Sequence, residues 1–278
     1  MTAPAPVIHS YLFVPGNRPD RFSKACASGA DAVIIDLEDA VAFADKGAAR
    51  DGLANWLDSP EGRAPHVPVL VRVNCVASGC FGDDLRLSHR PGIAGIVLPK
   101  SERVDDVASA SSSAPLYPLI ETALGFSRLS QIAAAPRVQR LMFGSIDFKL
   151  DMGISGDRDE LLYYRSQMVL VSRLTGLQAP IDGVTTAIDD ALQIDDDTRY
   201  ARRLGFGGKL CIHPAQVAIV NRAFTPEPDE VQWAMRVLAA SEAARGGAVA
   251  LDGKLIDRPV ILQAQRIVDE SRRIAAQR

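Results

Sequence analysis

The chain has 278 residues, with 31 Lys and Arg against 34 Asp and Glu and therefore a net charge of −3. That balance leaves no basic footprint for nucleic acid, which is excluded as a main partner. With 47% apolar and 23% charged residues the chain can fill a core, and no apolar run approaches the roughly 18 residues that a membrane span needs. The opening Met1-Thr-Ala-Pro-Ala-Pro6 has neither the basic region nor the apolar core of a secretion signal. A soluble, cytoplasmic protein without a membrane partner is expected. Cys26, Cys75, Cys80 and Cys211 are too few and too scattered for a disulfide framework, so reduced thiols are expected.

In chain order, short β-branched runs bounded by Gly, Pro or polar residues read as strands buried on both faces. They are Tyr11–Val14, Ala32–Ile35, Pro68–Val73, Gly95–Leu98, Leu116–Ile120, Arg140–Phe143, Ala179–Ile181 and Lys209–Ile212. Helices are expected over Arg18–Ser28, Asp45–Leu57, Arg103–Ala108, Phe126–Ala134, Glu160–Leu174, Ala187–Leu204 and Ala215–Phe224, with a shorter one around Asp83–His89. Strands alternating with helices imply a parallel sheet, and eight of them imply closure as a (β/α)8 TIM barrel. The alternative is an open doubly wound sheet, but no G-x-G-x-x-G opens the first helix and no phosphate-binding G-x-x-x-x-G-K-[ST] occurs.

The barrel is expected to occupy residues 1–224, leaving 225–278 as a C-terminal extension. There Glu230–Arg245 reads as a helix, Gly246–Asp257 as a loop or hairpin turning at Asp252-Gly253, and Pro259–Ala276 as a final amphipathic helix. The polar stretch Ser109–Pro115 reads as a loop without chemistry.

In this fold the chemistry sits where the strands end. Those positions hold Asp36, Glu38 and Asp39 after the second strand, then Arg72, Lys100, Glu121, Asp147, Asp182 and His213 after later ones. Glu121 and Asp147 end adjacent strands, so their carboxylates can converge on one hard cation, which suits Mg2+ with waters completing its shell. They can equally be helix caps. Arg72 stands in a strand otherwise made of Val and Leu and needs an anionic partner, either a substrate carboxylate or Asp36 or Glu38 beside it. His213 before Pro214 reads as a strand-end cap rather than a base. Lys100 could form a Schiff base if desolvated, but a solvated charge or salt bridge is the ordinary fate of such a lysine. Arg18, Arg21 and Lys24 could grip a phosphate at a helix start or form a solvated basic face. Asp257 alone reads as an N-cap for the last helix.

Taken together, Ser10-Tyr-Leu-Phe-Val-Pro-Gly16, Asp36-Leu-Glu-Asp-Ala-Val41, Val71-Arg-Val-Asn74, Gly95-Ile-Val-Leu-Pro-Lys100, Pro118-Leu-Ile-Glu-Thr122, Gly144-Ser-Ile-Asp-Phe148, Lys209-Leu-Cys-Ile-His-Pro214, Ala223-Phe-Thr-Pro226 and Asp252-Gly-Lys-Leu-Ile-Asp-Arg-Pro259 carry a family likeness over nearly the whole chain. The chain resembles the citrate lyase β-subunit-like proteins of the HpcH/HpaI aldolase superfamily, which include malyl-CoA, citramalyl-CoA and citryl-CoA lyases. The resemblance implies a Mg2+-dependent barrel assembled as a homotrimer or hexamer, with Glu121 and Asp147 as metal ligands. Arg72 would hold the carboxylate of the oxo-acid half of the substrate, with Glu121 close to it. Arg18, Arg21 and Lys24 match the region that meets the nucleotide end of CoA. Asp257 matches an aspartate of the extension that reaches a neighbouring subunit's site, which replaces the N-cap reading with a catalytic one. Ile146 departs from relatives that carry Glu there; it is not a metal ligand, so little effect is expected.

The expected activity is reversible Claisen-type cleavage of a 3-hydroxyacyl-CoA carrying a further carboxylate, giving an oxo acid plus acetyl-CoA or propionyl-CoA. Two alternatives stand beside it: a β subunit of a citrate lyase complex acting on an acyl-carrier-protein thioester, and a CoA-independent aldolase acting on free oxo acids. The extension and the basic N-terminal turn favour the free-standing CoA enzyme.

Overall fold

The structure is a computed structural model that describes residues 7–110, 114–243 and 249–277. Eight parallel strands close into a barrel in sequence order. They are β1 (Ser10–Pro15), β2 (Ala32–Asp36), β3 (Val69–Arg72), β4 (Ile93–Leu98), β5 (Leu116–Ile120), β6 (Met142–Phe143), β7 (Ile181–Asp182) and β8 (Gly208–Cys211). Closure comes from β1, which pairs with β2 on one edge and with β8 on the other through Ser10↔Lys209 and Tyr11↔Leu210. The open sheet is thereby excluded.

Because successive strand residues face opposite sides, each strand sends alternate side chains inward. The inner cluster draws on every strand, from Tyr11, Ile34 and Leu70 through Val97, Tyr117 and Leu119 to Met142, Ile181 and Leu210. The intervening Val33, Ile35, Val71, Ile96 and Leu98 are equally buried, so they pack outward beneath the helices. This double burial is why the strands read as continuous apolar runs. Arg140, expected inside the sixth strand, precedes it and serves the barrel wall instead. Its guanidinium donates to the carbonyls of Ala179 (2.7 Å) and Ile8 (2.9 Å) and to the Tyr11 hydroxyl (2.9 Å), tying the starts of several strands together.

Several helices differ from expectation. Arg18–Ser28 holds only a 3-10 turn at Pro19–Arg21 and a short helix at Phe22–Cys26, which ends before Gly29 at φ +85°. Phe126–Ala134 divides into Ala123–Ser127 and Leu129–Ala133, broken at Arg128, whose φ and ψ of −111° and 15° leave the helical region. The helix expected from Ala187 starts at Ala191, where the Asp190 carboxylate caps the Gln193 amide at 3.0 Å. An unexpected helix, Ser145–Met152, follows β6 and ends on Gly153 in the left-handed conformation at φ +67°.

The barrel belongs to one compact unit, Ile8–Asn221, and the chain from Arg222 onward belongs to a second. In the second, helices Pro228–Ala243 and Arg258–Gln277 enclose Ala234, Val237, Ile256, Ala264 and Val268. An antiparallel hairpin, β9 (Val249–Leu251) and β10 (Lys254–Ile256), turns at Asp252-Gly253, with φ of +51° and +73°. Both positive φ values are what a two-residue hairpin turn with the strands' own twist requires. Arg236 bonds the Asp252 carboxylate across this unit. The expected loop residues 111–113 and the segment 244–248 lie outside the described residues. No described helix is long and apolar enough to cross a membrane.

Candidate active site

The C-terminal ends of the strands surround a cavity of about 420 Å3. Its walls are apolar at Phe13, Leu119, Phe143 and Leu210 and ionic at Asp36, Arg72, Glu121 and Asp147. Arg72, Glu121 and Asp147, which the sequence singled out from separate strand ends, thus meet in one chamber.

Arg72 is fixed before any ligand arrives. Asp36 and Arg72 are register partners on β2 and β3, and the Nε and Nη2 edge of the guanidinium forms a fork with the Asp36 carboxylate at 2.7 and 2.6 Å. Of the partners the sequence left open, Asp36 therefore takes this edge. Asp36 is itself held by the amides of Glu38 (2.9 Å) and Ala40 (3.1 Å). The other nitrogen, Nη1, lies 3.2 Å from Glu38 and 3.8 Å from Asp39, and the guanidinium covers the Phe13 ring at 4.9 Å. Three carboxylates thus face one largely buried cation. Burial pushes Glu38 up to about 7 despite the pull of Arg72 and Lys100.

Glu121, 3% exposed, leaves β5 into the same chamber. Its Oε1 accepts the Lys100 amide at 2.7 Å, the sole hydrogen bond to this carboxylate among the described residues. Burial, then the nearby charge of Glu38, with Asp147 adding to both, drive Glu121 up to about 8. Asp147 sits in the first turn of the Ser145–Met152 helix, and its carboxylate makes no hydrogen bond among the described residues. Phe148, fully buried, anchors that helix against Phe143 at 5.4 Å and Tyr164 at 4.7 Å.

A buried carboxylate, Glu121, and a half-buried one, Asp147, lining the same cavity could serve a hard divalent cation, which would relieve the repulsion between them. Among the described residues no group of three or more His, Cys, Asp or Glu side chains is placed to hold a metal. Such a site therefore needs water or substrate oxygens to complete it, the habit of Mg2+ rather than of structural zinc.

Gly144 makes the arrangement possible, because a Cβ there would lie 2.5 Å from the Glu121 Cβ and 2.6 Å from Oε2. Gly144→Ala is expected to leave the fold intact but displace Glu121. Mg2+ affinity should then fall on the order of tenfold or more, read by calorimetry; unchanged affinity would show that Glu121 has room to spare.

Of the other expected residues, those of the barrel unit do not line this chamber, and Asp257 belongs to the second unit. Arg18 is forked onto Asp20 at 2.9 and 2.8 Å, while Arg21 and Lys24 are exposed; none of the three lines the cavity. Asp257 occupies the N-cap position of the last helix through its carbonyl, which accepts from Ile261 at 3.0 Å, and it is exposed. His213 accepts the Ala215 amide at 3.2 Å and so caps the helix Pro214–Phe224. Burial alone would lower Lys100, but Glu38 and Asp39 outweigh it and hold the lysine above its ordinary value. A lysine kept charged is a poor Schiff-base nucleophile.

The sequence reading missed a second ionic cluster beside the chamber. Asp182 at the end of β7 binds Arg165 Nε at 2.9 Å and Lys209 Nζ at 3.4 Å, and all three are buried. Lys209 also donates to the Gly183 carbonyl at 2.7 Å. The signal available in the sequence was a lysine inside the buried strand Gly208–Cys211, which demands an anion nearby.

A closed (β/α)8 barrel thus carries an acidic pair and a forked arginine in one cavity at the C-terminal ends of its strands. The profile of the HpcH/HpaI aldolase/citrate lyase family matches residues 9–214, and the chain belongs to that family of lyases. It is 38% identical to a citrate lyase subunit beta-like protein of Deinococcus radiodurans, over 96% of this chain and 99% of that one. It is 34% identical to a (3S)-malyl-CoA thioesterase of Cereibacter sphaeroides, over 96% and 95% respectively. Its fold matches the crystal structure of CitE from Mycobacterium tuberculosis in complex with magnesium, acetoacetate and coenzyme A. The TM-score is 0.85 at 33% identity, covering 95% of this chain and 98% of that one.

Proposed function

We propose that the chain is a Mg2+-dependent lyase that cleaves or forms a carbon–carbon bond in a 3-hydroxyacyl-CoA carrying a further carboxylate besides its thioester. The products are an oxo acid and acetyl-CoA or propionyl-CoA. The observation that carries this reading is the convergence of Glu121, Asp147 and Arg72 on one cavity. The magnesium and coenzyme A named for the M. tuberculosis CitE complex support it.

Glu121 and Asp147 would hold the ion. When bound, Mg2+ would lower the pKa of the substrate hydroxyl, whose proton leaves to solvent as the C–C bond breaks, and would stabilise the carbonyl oxygen that replaces it. Arg72 receives the oxo-acid carboxylate at Nη1, outside the Asp36 fork, where it takes the place of the contact with Glu38, whose carboxyl is pushed up to about 7. The Asp36 fork and the Phe13 stack fix its plane beforehand, so little ordering remains at binding. Phe13, Leu119, Phe143 and Leu210 keep water from the enolate formed on cleavage. Arg18, Arg21 and Lys24 meet the nucleotide end of CoA.

Asp257 of a neighbouring copy protonates the enolate carbon, or removes its proton in the condensing direction, as a general acid–base. Large apolar side chains on the segments after the strands, Phe43, Leu150 and Leu192, are at least 80% exposed, which supports cover by another subunit in a homotrimer or hexamer. Asp257→Ala should lower turnover by about 10²-fold or more while leaving Mg2+ and oxo-acid binding intact. Mixed with an inactive Glu121 variant, it should recover activity at about a quarter of the sites under random assembly. Absence of recovery would refute the shared site.

Calorimetry tests the reading as a whole. Pyruvate, glyoxylate or oxaloacetate should bind in the presence of Mg2+ and not in EDTA; oxo-acid binding indifferent to the metal would overturn it.

A further inference from the structure

Lys100 combines two features that the reaction as described does not use. Its φ is +46°, in the left-handed region, although it is neither glycine nor in a hairpin turn. Its amide is also the only hydrogen-bond donor to Glu121 among the described residues, at 2.7 Å. L-residues avoid that conformation because the Cβ crowds the following carbonyl, so something must hold the residue there. On the following residue, the Ser101 amide donates to Leu119 O at 3.3 Å and the Ser101 hydroxyl to Leu98 O at 2.8 Å, pinning the turn to β4 and β5. On its own side chain, Nζ lies 3.6 Å from Glu38, which in turn lies 3.2 Å from Arg72 Nη1.

Glu121 is held at one oxygen and closely approached at the other. The Lys100 amide holds Oε1, and Oε2 lies over Gly144, where the helix carrying Asp147 begins.

We propose that Lys100 is a positioning residue. Its left-handed backbone aims the amide at Glu121 and thereby presents the other oxygen toward the Asp147 side of the chamber. This rests on the reading of Glu121 as a metal ligand. The ammonium is secondary in this role: it braces Glu38 from solvent, whereas the backbone sets the carboxylate.

The test is a pair of variants that both lack the ammonium and differ in tolerance of positive φ. Asn adopts the left-handed region readily and β-branched Val does not. Mg2+ affinity of the full chain is measured by calorimetry, with melting temperature and circular dichroism as controls of folding. Lys100→Asn should keep wild-type affinity within a few-fold, and Lys100→Val should lose on the order of 10- to 100-fold. Should Lys100→Val fail to fold, Lys100→Ala against Lys100→Gly makes the same comparison at smaller strain. Equal affinity in both members of a pair overturns the proposal, whether both are unchanged or both are weakened. A wild-type chain that binds no Mg2+ overturns the metal-ligand reading beneath it, a different outcome.

Discussion

Glu121→Gln is expected to abolish the rise in melting temperature that Mg2+ gives the wild-type chain. At a hundredfold excess over the dissociation constant, that rise corresponds to about 2.7 kcal/mol. Turnover should fall by about three orders of magnitude, the worth of the several kcal/mol of charge stabilisation that a bound metal supplies at about 1.4 kcal/mol per tenfold. The metal-free variant should melt no lower than wild type. Gln keeps an acceptor for the Lys100 amide and removes a carboxyl whose ionisation is disfavoured by burial and by the nearby Glu38 and Asp147. Function and stability therefore move in opposite directions. A variant that unfolds without having bound metal less well would place Glu121 in the scaffold instead.

Asp182→Asn is expected to lower stability by about 3–5 kcal/mol, because it leaves the buried Arg165 and Lys209 without their anion. Burial alone would raise the carboxyl of Asp182, but Lys209 and then Arg165 outweigh it and hold it below the ordinary aspartate value of 3.8. A depressed folded-state value means a contribution fully present above pH 3.8 and lost as pH falls through that lower value. The variant has already lost this contribution at neutral pH, so its stability should fall less steeply than that of wild type on the acid side. The loss should reach the active site, since Gly183, held by Lys209, packs against Ser145: a Cβ at 183 would lie within 2.1 Å of the Ser145 Oγ. Chemical denaturation at neutral and acid pH measures both effects; a neutral-pH loss under about 1 kcal/mol would mean that the triad is not the brace its burial implies.

The strands were legible because both of their faces are buried, which writes them as unbroken apolar runs. Leu116–Ile120 is recovered residue for residue and Ala32–Asp36 within one. The helix Ser145–Met152 was not legible. Its apolar residues Ile146, Phe148, Leu150 and Met152 alternate in the sequence like those of a strand, yet Phe148 alone is fully buried and Leu150 is 82% exposed. A short helix pinned by one aromatic has no 3.6-residue stripe to read. The candidate site was legible as a set of strand-end residues, because a barrel brings those ends together whatever lies between them. What stayed hidden was how the charges share partners. That Asp36 takes one edge of Arg72, or that the Lys100 backbone serves Glu121, depends on register and on φ, and neither is written in residue type. The Arg165–Asp182–Lys209 triad joins residues from separate segments, and Lys209 inside a buried strand is the one local sign of it.

The most direct test of the proposed lyase is to offer the purified chain malyl-, citramalyl-, methylmalyl- and citryl-CoA, with Mg2+ and again with EDTA, and to follow oxo acid, acyl-CoA and free CoA separately. Release of an oxo acid together with acetyl-CoA or propionyl-CoA from one of them, only with Mg2+, is the predicted result. Free CoA released with the acid left whole, cleavage indifferent to EDTA, or silence across the panel would contradict it.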